Sequence, residues 1–100
     1  MTMEQCDKII TAKERDYIDV VYVRCQKFKG HAGMHYAFDP HFTFPFHRLD
    51  RASLDLRGPI HFGWVDEEAY WWGDAMVYGT DGSKREPEFE FREFHINGQA

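Results

Sequence analysis

The sequence predicts a mainly β protein, built on a strongly twisted antiparallel sheet or a small barrel with at most one or two short helices. Aromatic residues, which favour strands, make up 17% of the 100 residues. Apolar positions alternate with polar ones along several segments, as expected for half-buried strands. Turn sequences rich in Gly, Pro and Asp separate these segments. The length suits one compact domain over residues 1–100.

The first third of the chain contains the clearest predicted strand, residues 17–28. Its centre is apolar on both faces, so we expect it to lie centrally in the sheet. A Thr-x-x-Glu capping pattern precedes it and predicts a short helix over residues 12–17. The turn sequence of residues 29–33 leads to a strand over residues 34–38, which we expect to pair with residues 17–28 as a hairpin.

Proline limits what the middle of the chain can form. Asp39 and Pro40 predict the end of the preceding strand. Pro45 cannot donate a ladder hydrogen bond, so residues 41–47 are expected to form an edge strand or a packed extended loop. Two short strands, residues 52–56 and 60–65, are predicted on either side of a Gly-Pro break.

Residues 66–73 are open to two interpretations. Acids at the start favour a helix, because carboxylates stabilise helix N-termini. The consecutive aromatic residues that follow favour a strand, and we favour a strand over about residues 69–78. After a turn at residues 79–82, the last strand spans about residues 88–96. A bulge near Arg92 would keep its apolar side chains, Phe89, Phe91, Phe94 and Ile96, on one face.

The charge distribution limits the classes of partner. The net charge is −5; residues 1–50 hold seven acids and seven bases, and residues 51–100 hold ten acids and five bases. This balance argues against direct nucleic-acid binding, which needs Lys and Arg to neutralise phosphates. It favours a protein partner with a basic surface. No apolar run approaches the roughly 20 residues that span a bilayer, and no signal-peptide pattern is seen, so we expect a cytoplasmic protein.

Six histidines raise a metal-dependent enzyme as one alternative. His31 and His35 have the spacing that places two ligands on one face of a helix, but Gly30 and Gly33 argue against a helix. On a straight strand the same spacing separates two side chains by about 13 Å, too far to share an ion. The further candidates are His41, His47 and His61, with Asp39 or Asp50 as a carboxylate ligand.

The remaining nucleophiles fit no catalytic motif. Cys25 lies in the strongest predicted strand and is expected to be a structural buried residue, and Cys6 is expected to be inert. Ser53 and Ser83 lie outside any Gly-x-Ser-x-Gly pattern. Phosphate-binding and dinucleotide-binding motifs are absent from the sequence. We therefore predict no catalytic residue and no cofactor.

The most suggestive surface combines acids with aromatic rings. Its residues are Asp66, Glu67, Glu68, Tyr70, Trp71, Trp72 and Asp74. Aromatic anchors rimmed by acids suit the recognition of a basic protein surface. The alternative is that two of the three rings belong to the core and the acids form a loop.

The leading functional prediction follows from this surface. We predict a non-enzymatic protein-binding domain, a small inhibitor of the immunity-protein or phage-encoded kind. It would occlude the basic surface of a nuclease or other nucleic-acid-binding protein. The alternatives are the small histidine- or metal-dependent enzyme and a β-barrel that holds a small apolar ligand. The oligomeric state is open.

Overall fold

The computed structural model describes residues 4–50, 53–66 and 68–94, which form two antiparallel β-sheets. The mainly β prediction is confirmed, and the sheets do not close into a barrel. The strands are β1 (Ile9–Glu14), β2 (Val20–Arg24), β3 (His35–His47), β4 (Ser53–Val65), β5 (Glu68–Gly73), β6 (Met76–Gly79), β7 (Lys84–Arg85) and β8 (Phe89–Phe94). These described ranges contain no helix, and therefore none that is long and apolar enough to cross a membrane.

The three-stranded sheet has the order β2-β1-β8. The predicted helix over residues 12–17 is wrong, because β1 alternates and its inward side chains Ile10, Ala12 and Glu14 are buried. Pairing with strands on both sides overrides the local capping pattern. The predicted central position of residues 17–28 is also wrong: β2 is an edge strand, and its outer face carries Tyr22, which is 61% exposed.

The five-stranded sheet has the order β3-β4-β6-β7, with β5 also paired to β4. β3 is an edge strand, as Pro45 predicts, but it runs through Pro40 by means of a register shift between Asp39 and Phe42. It pairs with β4 and not with β2, so the predicted hairpin is wrong. β3 forms instead a long ladder with β4, from His35 opposite Trp64 to His47 opposite Ser53.

β4 and its partners also differ from the sequence prediction. β4 is one strand that includes Gly58 and Pro59, where two strands were predicted. The strand interpretation of residues 66–73 is confirmed by β5, but the predicted strand over residues 69–78 is split between β5 and β6. Gly73 makes this break: its φ is +128°, and an added Cβ would lie 2.7 Å from the Pro59 carbonyl oxygen.

The core lies between the two sheets. Phe62 of β4 contacts Phe89 and Phe91 of β8, with ring centroids 5.7 and 6.2 Å apart. β8 pairs with β1 in continuous register from Ile9 opposite Phe94 to Glu14 opposite Phe89, so the predicted bulge near Arg92 does not occur. Ile96 lies outside the described residues.

Candidate metal centre

Four side chains with metal-ligating atoms meet at a corner where the two sheets adjoin. They are Cys6, Cys25, His31 and His35, and one ligand atom from each lies within 4.8 Å of all the others. Both cysteines are buried free thiols, and both histidines are partly buried. His31 and His35 therefore lie close enough to share an ion, contrary to the estimate of about 13 Å, and Cys25 is buried as expected. Cys6, which was expected to be inert, lies beside the other three side chains.

Backbone hydrogen bonds bring the two cysteines together. The Cys6 N–H donates to the Lys27 carbonyl at 2.8 Å, and the Cys25 N–H donates to the Lys8 carbonyl at 2.9 Å. The segment before β1 is thus held beside the segment after β2. Cys25 continues the inward alternation of Val21 and Val23, so its thiol points into the interior and reaches that of Cys6.

A tight loop brings the two histidines back towards the cysteines. The His31 N–H donates to the Phe28 carbonyl at 3.2 Å. Gly30 and Gly33 have φ of +85° and +81°, in the left-handed region that glycine adopts without strain. The chain therefore folds back on itself before His35, the first residue of β3. The 13 Å estimate for an extended strand does not apply, because the backbone between the two histidines is not extended.

Three of the six separations between the ligand atoms match those around a tetrahedral zinc ion. Cys6 Sγ lies 3.5 Å from His35 Nδ1, and Cys25 Sγ lies 3.5 Å from His31 Nε2. His31 Nε2 lies 3.2 Å from His35 Nδ1. With Zn–S near 2.3 Å and Zn–N near 2.05 Å, tetrahedral angles place S and N about 3.5 Å apart and two N atoms about 3.3 Å apart. The remaining separations are at most 4.8 Å, so the four atoms surround one position that an ion could occupy.

Surrounding groups orient the ligands. His31 Nδ1 lies 3.2 Å from the Ala32 carbonyl oxygen. A carbonyl only accepts, so Nδ1 carries the proton and Nε2 presents its lone pair to the cluster. Burial raises the pKa of the Cys6 thiol, and the Lys8 backbone N–H opposes part of that rise. The His35 ring packs 5.5 Å from the ring of buried Trp64.

The chemistry of this donor set is that of a structural zinc site. Two thiolates and two imidazoles fill a tetrahedral shell, whereas catalytic zinc keeps a position open for water or substrate. In the part of the chain that the structure describes, this is the one cluster of three or more His, Cys, Asp or Glu side chains that could hold a metal ion.

The other candidate histidines lie apart from the cluster. The His41 N–H donates to the Asp39 carboxylate at 2.9 Å, and His47 Nδ1 lies 2.8 Å from the Asp19 carboxylate. The hydrogen bonds from His47 lower the pKa of Asp19. His61 stacks between two aromatic rings on the outer face of the five-stranded sheet. Asp50 pairs with Arg48.

The predicted partner-binding residues are divided between the two faces and the ends of β5. Tyr70 and Trp72 point outward and are 49% and 40% exposed. Trp71 points inward and packs on Phe89, 6.0 Å away. Three acids, Asp66, Glu68 and Asp74, are exposed, and Glu67 lies outside the described residues. The alternation of β5 therefore assigns one tryptophan to the core and leaves two rings and three acids at the surface.

Comparison of the chain with protein-family models, with curated proteins and with solved structures found no match.

Proposed function

We propose that this chain is a zinc-binding domain in which Cys6, Cys25, His31 and His35 hold one structural ion. The single observation behind the proposal is the set of ligand separations, 3.5, 3.5 and 3.2 Å, which agree with a tetrahedral site of two sulfur and two nitrogen ligands. The protonated Nδ1 of His31 supports it, because the lone pair of Nε2 is then available.

The ion would join four parts of the chain that backbone and side-chain hydrogen bonds already hold side by side. The ligands come from the segment before β1, the end of β2, the following loop and the start of β3. A metal bound there connects the edge of the three-stranded sheet to the edge of the five-stranded sheet. Both sulfur ligands must remain reduced, which fits the cytoplasmic location expected from the sequence.

Metal content and stability test the proposal. Protein purified from zinc-supplemented cells should contain one zinc per chain, and cobalt substitution should give the intense visible spectrum of tetrahedral thiolate coordination. Chelation should lower the melting temperature, because metal that binds only the folded state adds RT ln(1 + [Zn]/Kd), about 4 kcal/mol at a thousandfold excess over Kd.

Matched substitutions distinguish zinc binding at the cluster from unspecific zinc binding by other histidines. Cys25→Ser and His31→Asn should each lose stoichiometric zinc, whereas His41→Asn, which changes an exposed histidine outside the cluster, should retain it. Substoichiometric metal in the wild type, with a melting temperature that chelator leaves unchanged, would refute the proposal.

Protein binding, including the inhibitory function expected from the sequence, stays a prediction. The exposed rings of Tyr70 and Trp72, with the exposed acids around them, support it.

A further inference from the structure

The outer face of the five-stranded sheet carries a ladder of stacked rings. Phe38 of β3, His61 of β4 and Trp72 of β5 are direct cross-strand partners. The His61 ring lies 4.3 Å from Phe38 with an interplanar angle of 19°, and 5.1 Å from Trp72 with an angle of 3°. These steps are close to the distance between neighbouring strands, about 4.8 Å. The rings therefore stand on the sheet with their faces towards one another.

A second row of side chains packs beside the ladder and fills the space around it. Gly63 lies between Tyr36 and Tyr70, and the Met34 side chain covers it so closely that an added Cβ would lie 2.1 Å from the methionine methyl group. The Tyr70 hydroxyl donates to the Met34 sulfur at 3.4 Å. Tyr36 lies 5.9 Å from the Trp72 ring. Trp72 is thus held in one orientation by its neighbours while it remains 40% exposed.

The ladder ends at an open strand edge. Within the described ranges, β4 is the one strand that pairs with β5, so the opposite edge of β5 presents backbone donors and acceptors. Six residues long, β5 contains none of the Pro or Lys residues that usually block an edge. The edge of β3 is different, because the Gln26 side-chain amide occupies both the N–H and the carbonyl of Phe38, at 3.0 and 2.9 Å.

Charge indicates what kind of strand fits this edge. Glu68 lies on the outer face of β5, and Asp66 and Asp74 are exposed at its two ends. Residues 66–76 contain no Lys or Arg. Full antiparallel pairing with a second copy would bring Asp66 and Glu68 of one chain towards Asp74 of the other, and like charges facing each other are unfavourable. A strand with Lys or Arg on either side would instead place opposite charges beside these acids, which is favourable.

We propose that the open edge of β5 binds an extended peptide segment of a partner protein, with an aromatic side chain stacked on Trp72 and Lys or Arg on either side. Backbone hydrogen bonds to β5 supply strand addition. The aromatic side chain becomes the next step of the ladder, one strand spacing beyond Trp72. The basic residues neutralise Glu68 and the two flanking aspartates. This inference names the mode of the predicted protein binding and is independent of the zinc site.

A synthetic peptide tests the inference directly. The probe alternates Thr and Val around a central Trp, with Lys at each end, and binding to the full chain is followed by NMR. We expect saturable shifts concentrated on β5 amides. Trp72→Ala should weaken binding at least about fivefold, through loss of the ring stack. Glu68→Lys should weaken binding and reduce its dependence on salt.

Two controls identify the cause of the binding. A version of the peptide with N-methylated alternate amides should not bind, because it cannot pair with the edge. Tyr22→Ala, which removes an exposed ring from the other sheet, should bind the probe like the wild type. Folded His31→Asn should also bind the probe. Loss of the proposed zinc site should therefore leave peptide binding at β5 unchanged.

Several results would overturn the inference. They are no binding of the probe, equal binding of the N-methylated probe, and unchanged affinity in Trp72→Ala with its fold intact by circular dichroism. A concentration-dependent dimer in sedimentation that Trp72→Ala dissolves would assign the edge to a second copy instead.

Discussion

Replacing Arg85 by Met tests the one fully buried charge among the described residues. Glu14, at the end of β1, is 0% exposed. Arg85 of β7 donates to its Oε1 at 2.6 Å, and the Glu88 N–H donates to its Oε2 at 3.1 Å. The carboxylate therefore ties the three-stranded sheet to the five-stranded sheet. Arg85→Met keeps much of the apolar stem and removes the charge that faces Glu14.

The expected loss follows from burial. Removing one partner of a buried pair usually costs about 3–5 kcal/mol, because the other charge is left uncompensated. Arg85 itself is 44% exposed, so water already shares part of its charge, and we expect about 2–3 kcal/mol at neutral pH. Arg15→Met is the matched control. It breaks the Arg15–Glu88 pair, which is 3.4 Å long with both side chains more than 60% exposed, and should cost about 0–1 kcal/mol.

The loss of stability in Arg85→Met should depend on pH in a defined direction. Burial raises the pKa of Glu14 above its ordinary value near 4.5, and Arg85 opposes part of that rise. Between the unfolded and folded pKa values the folded state binds more protons, so stability falls as pH rises through that window. Without Arg85 the folded pKa moves higher. The loss in Arg85→Met is therefore largest above the folded pKa and shrinks as acid protonates Glu14.

Urea unfolding of wild type, Arg85→Met and Arg15→Met at pH 5 and pH 8 measures these differences. The reasoning fails if Arg85→Met loses no more stability than Arg15→Met at pH 8, or if its loss is as large at pH 5 as at pH 8.

Two further substitutions test the packing and the chain break in the five-stranded sheet. Phe46→Ala should cost about 3–5 kcal/mol in urea unfolding, because the ring is fully buried, whereas Leu49→Ala at an 88% exposed position should change stability by less than about 0.5 kcal/mol. Gly73→Ala should lower the melting temperature more than Gly82→Ala. Both glycines have positive φ, but only at Gly73 does an added Cβ meet backbone, at 2.7 Å, so equal losses would contradict the steric explanation.

Local patterns predicted the fold class and several elements. Alternation and aromatic content identified the strands, and Pro45 correctly placed its segment at an edge. The errors arise where distant pairing outweighs local preference. The sequence at residues 12–17 does carry a capping pattern. The start of this segment nevertheless belongs to β1, because an extended strand there hydrogen-bonds to β2 on one side and to β8 on the other. β3 pairs with β4, the next strand along the chain, and not with β2, the strand before it; alternation within each strand does not distinguish these two neighbours.

The candidate metal centre was only partly visible in the sequence. His31 and His35 match the spacing His-x₃-His that is common in zinc sites, and this pattern next to Cys25 was the available indication. Cys6 was not predictable, because it precedes Cys25 by 19 positions and reaches it through pairing of the segment before β1. The division between Trp71 and Trp72 follows from strand alternation once residues 66–73 are known to be a strand.

The pairing of β1 with β8 has a consequence for the order of synthesis. The three-stranded sheet stays incomplete until residue 94 has left the ribosome, because Ile9 pairs with Phe94. All four proposed zinc ligands lie between residues 6 and 35, in the first part of the chain to emerge. A nascent chain that bound zinc at these residues would hold them together before its last strand exists, while β1 stays exposed on one side until β8 pairs with it.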